Sequence, residues 1–222
     1  MIFHQFTKPV SYLDYIKFQD TSRKKKREST LFLEHEPTIT SGSTAISSNL
    51  LVNPGFLQEK GIHFYEIQRG GDFTAHELGQ LVVYFHLDLA ARNLSIGNFL
   101  REMQEILIFS VYEVWGLALI MDKENPGLYL KSRPAWKIVS LGIYFKQFFT
   151  SFGFALNLSN QCSVFQYINP CGLKSENMKS IFMLGADPSL RQKFIDHFSE
   201  AWMNFLLKKY PSPISNKVRW LK

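Results

Sequence analysis

The chain has two thiols, Cys162 and Cys171, and their settings differ. Cys171 lies between Pro170 and Gly172, a pair that suits a tight turn and so presents the side chain rather than burying it. Cys162 has no such frame and reads as a buried, inert thiol. A free thiol is only a few per cent thiolate at pH 7, given an unperturbed pKa of about 8.5, so Cys171 needs help to act as a nucleophile. The second candidate is the stretch Arg69-Gly70-Gly71-Asp72-Phe73-Thr74-Ala75-His76. Paired glycines let backbone N–H groups approach a ligand with no side chain in the way, and Arg69, Thr74 and His76 add donors around that approach. A glycine-rich hairpin with a solvated arginine is the plain alternative, and spacing does not choose between them. Glu34 and His35 invite a metal reading, but no second pair of ligands stands at metal spacing.

The elements that must hold these residues can be read from periodicity. Strands over 63–68 and 80–89 flank the glycine loop. Ser11-Tyr12-Leu13-Asp14 has the form of a capping box, with Leu13 and Ile16 on one side of the helix that follows. That helix runs into Arg23-Lys24-Lys25-Lys26-Arg27. Residues 30–37 read as a strand stopped by Pro37, with Thr40-Ser41-Gly42 as the turn beyond it. Ser95 caps a helix in which Phe99, Met103, Leu107 and Val111 recur at helical spacing up to Gly116. Strands over 117–121 and 127–131 follow, then one over 136–144 that opens with Lys137, in isolation a surface lysine. Residues 189–209 form an amphipathic helix with Phe194, Phe198, Trp202 and Phe205 on one side. Strands interleaved with a few long helices, without a regular βαβ period, point to an α+β fold with a mixed sheet.

With 45% hydrophobic residues over 222 positions, the chain can bury one sizeable core and reads as a single domain over 1–222. Its twenty phenylalanines read mostly as core packing. The net charge of +6 favours acidic partners. The five-cation run reads as a solvated loop or as a docking patch for an acidic carrier protein, and no second basic patch with interleaved aromatics argues for nucleic acid. Two cysteines are too few for a disulfide framework, which suits a reducing compartment. The N-terminus lacks a secretory pattern and the apolar stretches fall short of the ~20 residues that span a bilayer. The expected setting is soluble and cytoplasmic, with no membrane.

The ordered motifs resemble the lipoyl(octanoyl) transferase family over about residues 30 to 175. That family carries Arg-Gly-Gly-x-x-Thr-x-His-Gly-Pro-Gly-Gln, matched here by Arg69, Gly70, Gly71, Thr74, His76, Gly79 and Gln80, whereas Glu77 and Leu78 depart from it. Leu33-Glu34-His35 and Pro37 also match, as do Lys137, Ser140 and Gly142 in a lysine-headed strand. Gly153, Ala155 and Asn157 match a His-Gly-x-Ala-Leu-Asn segment in which Phe152 replaces the usual histidine. Ile168-Asn169-Pro170-Cys171-Gly172 resembles the family's Ile-x-Pro-Cys-Gly, and residues 176–180 depart from the Val-Thr-Ser usual downstream.

The resemblance implies a biotin and lipoate protein ligase type of fold and a catalytic pair of Cys171 and Lys137. It implies substrate binding by Arg69 through His76, by Ser140, Leu141 and Gly142, and by Gly153, Phe154 and Ala155, with no metal. The implied donor is an octanoyl group on the phosphopantetheine of acyl carrier protein, with no resident cofactor. The implied acceptors are lipoyl domains of E2 subunits and the glycine cleavage H protein, and the enzyme is expected to be a monomer. A lysine ammonium about 4 Å from the thiolate supplies at most roughly 4 kcal/mol at an effective dielectric near 20, or about three pKa units. Three rivals remain at this point. An ATP-dependent lipoate or biotin ligase of the same fold needs no cysteine; a non-catalytic paralogue would only bind carrier or lipoyl domain; a protein-to-protein relay differs only in donor.

Overall fold

The computed structural model describes residues 1–122, 125–131, 136–170, 174–209 and 219–221. Its larger sheet has eight strands in the order β11-β1-β2-β6-β10-β9-β8-β7. These are β1 (Ile2–Gln5), β2 (Ser29–Leu33), β6 (Gln80–His86), β7 (Leu119–Met121), β8 (Gly127–Leu130), β9 (Lys137–Lys146), β10 (Phe149–Asn157) and β11 (Arg219–Leu221). β1 runs parallel to both β2 and β11, and the other neighbours are antiparallel. A smaller sheet, in the order β4-β3-β5, comprises β3 (Thr38–Ser41), β4 (His63–Glu66) and β5 (Phe73–His76). The helices are α1 (Tyr12–Lys24), α2 (Pro54–Glu59), α3 (Ile96–Trp115) and α4 (Arg191–Lys209). This is the expected α+β mixed sheet flanked by helices.

The side-chain period of two in a strand sorts residues between the faces of the large sheet. Phe32, Leu81, Val83, Phe85, Phe154 and Leu156 meet α3 and α4 in one apolar cluster with Phe99, Met103, Phe198 and Trp202. Leu31, Leu33, Val82, Tyr84 and Ala155 point the other way, onto Tyr12 and Tyr15 of α1. Because β6 and β10 are covered on both faces, every residue in them is buried. Twelve of the twenty phenylalanines are buried, as the composition suggested. No helix among the described residues is long and apolar enough to cross a membrane.

Helix ends follow their caps. Ser95 Oγ accepts from the Asn98 amide at 3.2 Å, and α3 stops at Gly116 in a left-handed conformation (φ 68°). At α1, Ser11 stands at the N-cap position without a side-chain cap hydrogen bond, so the capping box read from the sequence is not formed. Two loop expectations are also corrected. Thr40 and Ser41 belong to β3 rather than to a turn, and Phe73 to His76 form β5 rather than loop. In both cases the partner is distant in sequence: β3 pairs β5, with Thr40 opposite Thr74. Such pairing overrides local turn signals.

Candidate active site

The Arg69–Gly71 loop joins β4 to β5, and the chain's own backbone shapes it. Arg69 is buried and its guanidinium Nη2 donates to the Thr40 carbonyl at 2.9 Å and to Thr40 Oγ1 at 3.0 Å, while Nη1 donates to the Gly70 carbonyl at 3.0 Å. This is not the solvated arginine of a plain hairpin. Gly71 has φ 90°, and a Cβ on the neighbouring Gly42 would lie 2.2 Å from the Gly71 carbonyl oxygen, so both positions need glycine. The Asp72 carboxylate accepts from the Ile46 amide at 3.1 Å and from Asn49 Nδ2. Asp72 therefore fixes the loop against residues 46–49.

Beside this loop is a cavity of about 510 Å3. One wall is residues 69–74, a second is Leu100, Met103 and Gln104 of α3, and a third is Ser140, Leu141, Gly142 and Ile143 of β9. Lys137 and Pro170 line it as well. Lys137 is 2% exposed, which corrects the surface lysine read from its strand position alone. Its Nζ lies 5.8 Å from the centre of the Tyr129 ring, within cation–π reach. The aliphatic stem crosses Gly127, where a Cβ would come within 2.5 Å of Lys137 Cε. Gly127 is thus a site residue that the sequence offered only as a turn glycine. The Lys137 carbonyl accepts from the Lys179 amide at 3.1 Å. The chain just before Cys171 and the chain shortly after it therefore both reach the surroundings of Lys137. Cys171 itself, with Gly172, lies outside the described residues.

A narrower pocket of about 40 Å3 adjoins this cavity, sharing Arg69, Thr74 and Ser140 to Gly142 as walls. Gly153, Phe154, Ala155, His76, Tyr12, Tyr84 and Phe152 complete it. Of the described residues expected to bind substrate, only Ala75 touches neither space; it packs with Ile39, Leu57 and Phe73.

His76 is held in one tautomer. Gln80 Nε2 donates to the Ala75 carbonyl and to Asn157 Oδ1 at 3.2 and 2.9 Å, so its Oε1 faces His76 and accepts from Nδ1–H at 2.7 Å. Burial, with His35 as the next cause, pushes the His76 pKa down to about 3. It is a neutral ring stacked on Tyr12. His35 donates from Nδ1 to the Val10 carbonyl at 2.7 Å and accepts at Nε2 from the Tyr84 hydroxyl at 3.0 Å. Burial lowers its pKa to about 4. Glu34 meanwhile accepts from the Gly79 amide at 2.8 Å. Glu34 and His35 thus serve separate partners, and among the described residues no cluster of three metal-binding side chains forms.

One departure from the family pattern, Glu77, has a structural duty. Glu77 is buried and its carboxylate accepts from Asn160 Nδ2, Ser163 Oγ and the Val164 amide at 2.8, 2.9 and 2.8 Å. It pins the segment that leads to Pro170, while Leu78 is exposed. Cys162 is buried, and burial together with the Glu77 carboxylate pushes its thiol up to about 12. It stays protonated at neutral pH.

A family model described as the lipoyl protein ligase A/B catalytic domain matches residues 11–203. The chain is 51% identical over 189 residues to an octanoyltransferase of Leptospira interrogans serogroup Icterohaemorrhagiae serovar copenhageni, covering 85% of this chain and 88% of that one. It is 46% identical over 213 residues to an octanoyltransferase of Leptospira borgpetersenii serovar Hardjo-bovis, covering 95% of each. Among solved structures, it resembles lipoate-protein ligase A bound with ATP (TM-score 0.70, 14% identity, 100% of this chain and 90% of that one). It also resembles the structure described as an archaeal bi-partite lipoate protein ligase and its E2 lipoyl domain, from Thermoplasma acidophilum (TM-score 0.71, 14% identity, 99% and 86%). At such identities these two show the fold and nothing finer.

Proposed function

The chain belongs to the lipoyl protein ligase A/B catalytic domain family and is an acyltransferase, and from that premise we propose a two-step octanoyl transfer through Cys171. The observation that carries the proposal is the buried Lys137 side chain in the wall of an apolar cavity that is also lined by Pro170, the residue next to Cys171. The volume of about 510 Å3 falls in the range of small-molecule sites, roughly 300–1,000 Å3. An octanoyl chain burying ~7 carbons there gains about 5 kcal/mol.

In the first half-reaction the Cys171 thiolate attacks the thioester carbonyl on the phosphopantetheine of acyl carrier protein. The carrier thiol leaves with the proton that Cys171 gave up, and the octanoyl group becomes a thioester on Cys171. In the second, the deprotonated amine of a lipoyl-domain lysine attacks that thioester. An amide forms as the C–S bond breaks, and the proton that the amine loses ends on the departing Cys171 sulfur, which is released as the thiol. Lys137 stabilises the thiolate and handles its proton. Backbone N–H groups of the Gly70 and Gly71 loop, or beside Gly172, would receive the carbonyl oxygen as it becomes an oxyanion. The neighbour described with an E2 lipoyl domain supports lipoyl domains as the acceptors. His76, neutral and walled into the narrow pocket, is a poor partner for a thiolate, which favours the lysine. The structural duty of Glu77 removes one argument for a binding-only paralogue.

The test is intact-mass measurement after incubation with octanoyl carrier protein and no ATP. One octanoyl group should be gained, lost in Cys171→Ser and kept in Cys162→Ser. Lys137→Ala should move Cys171 alkylation to higher pH, because removing the ammonium returns the thiol toward its unperturbed pKa. Absence of any acyl-enzyme, or transfer that requires ATP, ends this reading.

A further inference from the structure

On the α1 side of the sheet, a groove of about 350 Å3 runs between α1, β4 and the β9–β10 pair. Among the described residues, one side chain lines both this groove and the narrow pocket: Phe152. It is 2% exposed and stands as a partition between them. Its position is irregular. In a regular strand residues 152 and 154 share a face, and Phe154 joins the α3 and α4 core while Phe152 packs on the opposite side with Tyr15 and Tyr84. Ring centres are 5.5 Å apart for Phe152 and Tyr15, and 5.9 Å for Phe152 and Tyr84. The change of face comes from φ 63° at Phe152, a conformation that is an outlier for a bulky residue. The Phe152 amide donates to the Tyr15 hydroxyl at 2.9 Å. At Gly153 a Cβ would meet the Val83 carbonyl oxygen at 2.1 Å. Strained residues of this kind gather at ligand clamps.

We propose that Phe152 is the end stop of the acyl pocket and limits the chain length the enzyme accepts. This rests on the reading that the octanoyl chain occupies the cavity beside Lys137. From that cavity the chain would pass Gly142 and Gly153 into the narrow pocket, and its last carbons would meet the Phe152 ring. Without a closed end, each added methylene would strengthen binding about fourfold, and longer chains would win. A ring across the exit reverses that order. If the ring is trimmed, the pocket opens into the groove, where Ile16, Ile67 and Tyr144 supply apolar surface for further carbons.

The experiment compares octanoyl, decanoyl and dodecanoyl carrier protein as donors, and octanoate with dodecanoate as free-acid ligands by calorimetry. The wild type should prefer octanoyl to dodecanoyl by at least about tenfold, and Phe152→Ala should move that ratio toward dodecanoyl by at least about tenfold. Phe152→Leu, which keeps most of the packing, should move it in the same direction by less, and carries the test if the alanine variant does not fold. A folded variant with the wild-type ratio, or a wild type that takes dodecanoyl as readily as octanoyl, overturns the end stop. If no donor acylates the wild type, the transferase reading fails instead, and the ratio of free-acid affinities still decides the role of Phe152.

Discussion

The two faces of the large sheet are built from different materials. On the α3 and α4 side, Phe85, Phe99, Phe198 and Trp202 pack ring against ring, with centre-to-centre distances such as 5.0 Å for Phe85 and Trp202. On the α1 side Phe152 sits among polar rings, Tyr12, Tyr15, Tyr84, His35, His76 and His86, tied by bonds such as the one between His35 and Tyr84. The first face gains stability from area alone. The second buries groups that must find partners or remain neutral, and it adjoins the acyl pocket. The difference teaches where this chain gives up stability for specificity: the polar face is costlier to hold together, and it carries the shape that reads the substrate.

The sharpest test of this contrast is a truncation on the apolar face. Trp202 is fully buried against Phe85, Phe99, Phe198 and Phe205. Trp202→Ala should cost about 3–5 kcal/mol of stability, read as a lower urea midpoint, while the chain-length ratio of the molecules that remain folded stays unchanged. Trp202→Phe should cost less, because it keeps an aromatic ring against Phe85 and Phe198 and leaves a smaller cavity. A shifted chain-length ratio in either variant would mean that the two faces are not separable.

The next test belongs to the polar face. Burial holds the pKa of His35 down to about 4 and those of His76 and His86 down to about 3, against about 6.5 in the unfolded chain. Between those values the unfolded state binds the protons and the folded state does not, so stability falls as pH drops. It is complete above about pH 6.5 and is lost progressively toward about pH 4 for His35 and about pH 3 for His76 and His86, by up to ~1.4 kcal/mol per pH unit for each histidine. Urea unfolding at pH 7, 6 and 5 should show uptake approaching three protons. His76→Gln should remove about one of them. A stability flat across that window would mean that these rings are not held neutral.

How much of this was legible varies with the kind of signal. α3, α4 and β9 were readable because their apolar spacing and caps are local, and the site loops were readable because the resemblance covers them in order. Three features were not. β5 is made a strand by β3, a partner more than thirty residues away. Phe152 breaks alternation through one dihedral, which no residue pattern encodes. Gly127 matters because the Lys137 stem crosses it, and the sequence offers it only as the glycine of a turn. The burial of Lys137 was invisible to periodicity for the same reason: it depends on what packs across the strand, not along it.

The smallest expected effect concerns the five-cation run, which lies at the polar face's far end. Arg23 and Lys24 pair with Asp20, and Lys26 pairs with Asp88 at 2.7 Å, so much of the charge expected to attract an acidic donor is already met. Lys25 and Arg27 are exposed. Arg23 shares the outer groove with Lys146, at the opposite end of β9 from Lys137, and nine residue steps of ~3.3 Å place those lysines about 30 Å apart. A donor seated on the run would have to span that distance. Charges so placed steer encounter more than they hold the complex. The double substitution Lys25→Glu and Arg27→Glu should therefore raise the KM for octanoyl carrier protein by no more than about threefold at low salt, and screening should erase the difference at high salt. A rise of about tenfold or more at low salt would place the run in the donor's docking surface. The polar face would then recognise the carrier at one end while Phe152 measures its cargo.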